Sequence, residues 1–144
     1  MKHKEREELI ERAFYRWAWV LCHLREEGDE AHTRLGEWLI PDDYVEYGTS
    51  LRGGGKREHA VPLAVLRDWA LKQFSEDRSE EKIMAVAETL RKHLVIVRIS
   101  PEEAALLDGD LGWKAKMPDG WSVEDGHPFA RLEKAGIKVQ PRTV

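Results

Sequence analysis

A mainly helical α+β fold in a single domain, with a small antiparallel sheet of two or three strands, is what this 144-residue sequence predicts. Three observations carry that prediction. Apolar residues recur at three- and four-residue steps over residues 4–26, the period of a helix that buries one face. Two later stretches, from Pro62 and from Ser79, repeat the pattern. One short run, "LVIVRI", is β-branched and nearly all apolar, which marks a buried strand. A chain of this length buries a real core in one domain, and no repeat or linker divides it.

The elements follow in order. In the first helix Leu9, Ile10, Ala13, Phe14, Trp17, Val20, Leu21 and Leu24 face inward, and Gly28 ends it. Trp19, on the opposite side, is the cue for a partner. "GEWLIPDDYVEYG" breaks its apolar runs at Pro41, Asp42 and Asp43, so a loop with a short strand or turn is expected. Pro62 then opens a helix that buries Leu63, Leu66, Trp69, Ala70 and Phe74. Ser79 caps the next, with Ile83, Val86, Ala87 and Leu90 inward. After the strand, Ser100, Pro101 and Glu103 together form a helix start with a capping box, and Asp108–Gly109 stops it. Residues 109–144 read as a covering segment, with a short helix over 128–135 capped by Gly136.

Composition narrows the function classes. Charged residues make up 35% and apolar ones 42%, which predicts a soluble protein with a heavily charged surface. A net charge of −4 argues against a surface basic all over, and fits a local basic patch or docking onto a basic partner. The single cysteine, Cys22, excludes an internal disulfide and suits a reducing cytoplasm. No apolar run is long enough for a membrane span, and no secretory leader is expected. Six tryptophans are many for this length, and serve either the core or a partner surface.

The stretch most suggestive of chemistry is "LRGGGKREHAVPL", residues 51–63. Its glycines permit close backbone approach, and Arg52, Lys56 and Arg57 supply charge suited to phosphate. His59 beside such a site is a candidate general base for water. Glu58 precedes it as a candidate metal ligand, although neighbours in a strand point to opposite faces. The triple glycine lacks the Lys-Ser/Thr and the preceding strand of a nucleotide loop. His23, His93 and His127 match no compact zinc spacing: His93 sits near a helix C-terminus, and His127 is placed to cap the last helix. "GWKAKMPDGW" places Trp113, Trp121, Lys114 and Lys116 on an irregular segment, able either to stack bases and meet phosphates or to cover the core.

"REHAVPL" resembles the first half of an HNH, or His-Me finger, nuclease site, with its acidic–His–apolar–x–Pro order. "HLVIVRISPEEAALLD" resembles the later strand and helix of that family. The resemblance implies a ββα-like core within residues 52–108 and a DNA-directed protein, with His59 activating water. It also implies a divalent metal (Mg or Mn) on Glu58, for which Glu102 or Glu103 would have to replace the family's later ligands. The chain departs from the family in having no asparagine, no histidine on the helix after "LVIVRI", and no cysteine pairs for zinc. Glu103 also has the capping role already given. Two readings therefore stand: an HNH-like endonuclease or its inactive relative, and a non-enzymatic inhibitor that binds a nucleic-acid-processing complex. In size and charge the second is similar to the anti-defence proteins of phages and mobile elements, including anti-CRISPR inhibitors.

Overall fold

The computed structural model describes residues 2–29 and 31–142, and the fold is α+β. Its order is α1 (His3–Glu26), α2 (Arg34–Leu39), α3 (Asp42–Val45), β1 (Glu46–Ser50), β2 (Lys56–His59), α4 (Leu63–Gln73), α5 (Glu80–His93), β3 (Ile96–Ile99), α6 (Pro101–Ala105), α7 (Ala130–Lys134) and β4 (Val139–Pro141). A π-helical turn, Leu106–Asp110, extends α6. No helix among the described residues is long and apolar enough to cross a membrane.

The helices form one core. Ile10, Phe14, Trp17 and Leu21 of α1 bury against Leu66, Ala70 and Phe74 around α4 and Val86 and Leu90 of α5. Each large side chain removed from water here contributes about 1.5–3 kcal/mol. Trp17 also fixes α2: a Cβ at Gly36 would lie 2.8 Å from its ring, so that crossing requires glycine. Ser79 caps α5 by accepting from the Lys82 N–H. The segment expected to be loop and short strand holds two short helices before β1. Pro41 separates them, and Asp42 and Asp43 lie in the first turn of α3, where acids complement the helix dipole.

The sheet has four strands in the order β2-β3-β1-β4. It is mixed: β3 runs antiparallel to β2 and parallel to β1, and β4 is antiparallel to β1. β1 begins within the segment expected to hold a short strand or turn, but neither β1, which reads EYGTS, nor β4, which reads VQP, has an apolar alternation to mark it as part of the sheet. Two faces result. Val97 and Ile99 pack with Ala104, Leu107, Leu132 and Ile137 into a second, smaller core under α6 and α7. On the other face the register sets Arg57, Arg98, Thr49 and Gln140 side by side, one from each strand.

Candidate functional site

The glycine loop joins β1 to β2 and passes close over the end of β3. Gly53 and Gly54 both adopt positive φ, and a Cβ on Gly54 would fall 2.4 Å from the Ile99 carbonyl. Close approach therefore explains this glycine without a ligand. Arg52 and Lys56 project into solvent. Arg57 is engaged: its guanidinium donates to both carboxylate oxygens of Asp42, at 2.6 and 2.8 Å, and to Glu37 at 3.3 Å. That fork holds the Asp42 carboxyl below its ordinary range.

Strand alternation then divides the central pair. Glu58 points to the smaller core and meets Arg131 of α7 at 2.9 Å, a contact whose side chains are only 15% and 1% exposed. Arg131 also donates to the backbone carbonyls of Trp113 at 2.8 Å, Ala60 at 3.4 Å, and His59. One buried guanidinium thus ties β2, α7 and the segment at Trp113 together. Sequence reasoning missed Arg131, because "FARLEKAGI" marks it only as one polar residue in a short helix.

His59 lies on the opposite face with Arg57, in register with Ile96. Burial, reinforced by the Arg57 charge, pushes its imidazole down to about 4. The ring is neutral at pH 7 but far less basic than a histidine matched to general-base work at that pH.

Glu103 has a structural role. Its Oε1 accepts from the Ser100 N–H at 2.9 Å and from the Ser50 hydroxyl at 2.7 Å, while the Ser100 hydroxyl accepts from the Glu103 N–H. Burial raises its pKa, but these hydrogen bonds prevail and hold it below the ordinary value. The capping box joins α6 to β1 as well as to β3. These residues do not fit a divalent cation: Glu58 is held by a cation, the Glu103 carboxylate by two donors, the Ser100 N–H and the Ser50 hydroxyl, and among the described residues no three His, Cys, Asp or Glu side chains gather as ligands.

The tail tryptophans are partly buried. Trp113 packs on the smaller core and Trp121 on the larger, with the Trp121 indole N–H donating to the His127 carbonyl at 2.9 Å. Lys114 and Lys116 are exposed. His93 is fully buried, bonded through Nε2 to the Val123 carbonyl at 2.7 Å and edge-on to Trp121, so it anchors the tail to the end of α5. His127 lies before α7, its Nδ1 accepting from the Phe129 N–H. Two other aromatics stand out from the surface: Trp38 on α2, 70% exposed, and Trp19 on α1, 43% exposed. Compared with known proteins, the chain matches no family model, no curated protein and no solved structure, so its function is argued from its own residues.

Proposed function

We propose that this protein acts by binding rather than by hydrolysis: a non-enzymatic, cytoplasmic inhibitor that docks on a basic surface of a nucleic-acid-processing complex. The observation that carries the reading is the division of the Glu58–His59 pair. Glu58 is committed to Arg131 on one face of the sheet, while His59 lies on the other with depressed basicity. Arg57, the best placed phosphate ligand, is already occupied by two carboxylates. A net charge of −4 favours encounter with a basic surface, and Trp38 supplies an exposed aromatic anchor of the kind that dominates interfaces.

The test has two arms. The protein is incubated with supercoiled and linear DNA in Mg²⁺ or Mn²⁺, beside the His59→Ala variant; no cleavage is expected from either. It is then added to purified DNA-cleaving ribonucleoprotein complexes and their cleavage followed. Inhibition that survives His59→Ala but is lost in Trp38→Ala supports the proposal. DNA cleavage that disappears with His59→Ala overturns it in favour of the HNH-like endonuclease.

A further inference from the structure

Between α1 and α5 runs an open groove, lined from these two helices alone, with Glu11, Phe14, Tyr15, Met84, Ala87 and Glu88 among its walls. The helices pack antiparallel, and a polar bridge crosses each end: Glu7 meets Arg91 at one, and the Tyr15 hydroxyl donates to Glu80 at 2.6 Å at the other. Between Glu7 and Tyr15 the trough therefore runs for about 12 Å, or two helical turns. Its floor is apolar: Phe14 and Ala87 are buried, and Met84 beside them is 57% exposed. Its charge is one-sided. Arg91 is neutralised by Glu7, whereas Glu11 and Glu88 have no ion-pair partner among the described residues. Glu8, one turn from Glu11, and Glu81, beside Glu80, add exposed carboxylates. Arg12 and Arg16 line the adjoining concavity with Trp19 but not this groove, and Lys4 and Lys92 lie beyond its Glu7–Arg91 end.

We propose that this groove receives a basic amphipathic helix of a protein partner. A trough between two packed helices takes the apolar stripe of a third, whose anchors at i, i+3 or i+4, and i+7 span the same two turns. Charge selects the occupant. Glu11 and Glu88 border one apolar trough without cations of their own, so an acidic helix would add to their repulsion. An uncharged helix would leave both carboxylates unpaired at the rim of a dry contact. Lysine or arginine side chains satisfy both demands: their apolar stems cover Met84 and Ala85, and their heads reach the carboxylates. Trp19, 43% exposed and one turn past Tyr15, prolongs the apolar surface at that end. The Tyr15 ring is already fixed by Glu80, which lowers the ordering cost of association. The proposal is independent of the inhibitory role and of Trp38.

Calorimetric titration of the full chain with model peptides tests it. The probe is a helical peptide of about 18 residues, leucine on one face and lysine on the other, in about 100 mM salt. Two control peptides replace its lysines with glutamate, or its leucines with serine. The leucine–lysine peptide is expected to bind with a Kd of about 1–100 µM, and both controls about tenfold more weakly or worse. Glu11→Lys with Glu88→Lys should weaken binding about tenfold or more, and Met84→Ala about threefold or more. Glu11→Gln with Glu88→Gln, milder for folding, should weaken it in the same direction. Asp110→Lys with Asp119→Lys changes the net charge equally at exposed positions outside the groove, and should hold the affinity within about twofold. A wild type that binds no peptide overturns the proposal, as does one that binds the controls equally. So does binding that falls as far in the Asp110 and Asp119 variant as in the groove variants. Sedimentation of the free chain addresses the other occupant: self-association abolished by Glu11→Lys with Glu88→Lys would seat a second copy in the groove and overturn the proposal as well.

Discussion

Replacing Arg131 with methionine puts the Glu58–Arg131 lock to a quantitative test. The methionine keeps most of the apolar stem and removes the guanidinium, whose side chain is 1% exposed. Glu58 is then left at 15% exposure without its cation, and three carbonyls, of His59, Ala60 and Trp113, lose a donor. Breaking a buried pair by removing one partner costs about 3–5 kcal/mol. For a chain of this size that lowers Tm by about 10–15 °C. Adding Glu58→Leu removes the stranded carboxylate but leaves the carbonyls unpaired, so the double variant should recover part of the loss and remain about 1–3 kcal/mol below wild type. Urea denaturation followed by tryptophan fluorescence measures all four corners of the cycle. A cost below about 1 kcal/mol for Arg131→Met, or single effects that simply add, would refute the lock.

Further expectations follow from the same geometry. The His59 imidazole falls from 6.5 to about 4 on folding, so the unfolded chain binds the proton more readily between those values and stability is lost as pH drops through that window; His59→Gln should flatten the loss by about 3 kcal/mol, and parallel curves for the two proteins would count against burial as the cause. Glu103 is held below its ordinary 4.5, so its contribution is present above that pH and fades below it: Glu103→Gln should cost about 1–2 kcal/mol at pH 7, with the gap to wild type closing under acid denaturation. Gly54→Ala should destabilise more than Gly53→Ala in thermal melts, because both have positive φ but only Gly54 would drive a Cβ into the Ile99 carbonyl; equal effects would reject the close-approach argument.

What could be read in advance was what local chemistry determines. The helical period over residues 4–26 matches α1 within a residue, and both the Ser79 cap and the Ser100–Glu103 capping box are formed. "LVIVRI" contains β3, where Val97 and Ile99 face the smaller core and Ile96 is buried on the opposite side, so that three of its four residues are apolar. The strand β1 gave no such signal: Glu46 bonds Arg98 on the charged face, while Tyr47, Gly48 and Ser50 turn toward the smaller core around a bulge. β4 is chosen by β1, since Gly48 lets the Gln140 carbonyl approach to where a Cβ would stand. The candidate site was legible only as a set of residue types. That Glu58 meets a residue 73 positions away is a property of the folded chain, and no spacing within "KREH" announces it.

The arrangement of the sheet also bears on where a partner can sit. A four-stranded sheet exposes two edges, and an extended segment can add to either by backbone pairing. Both edges here oppose it. β2 carries Lys56 and Arg57, the second drawn over to α2 and α3 by Glu37 and Asp42, and charge on an edge strand disfavours pairing. β4 is three residues long and ends in Pro141, which has no N–H to offer. The polar face between them is no better as a hydrophobic platform: Arg98 is bound to Glu46, and Arg142 lies 3.8 Å from both Glu46 and Asp43. A partner displacing these pairs would have to leave charges desolvated or supply replacements for them. Strand addition and sheet stacking are thus both disfavoured, and association is directed to the helices. There, Trp38 on α2 and Trp19 on α1 offer apolar surface whose burial breaks none of these ion pairs.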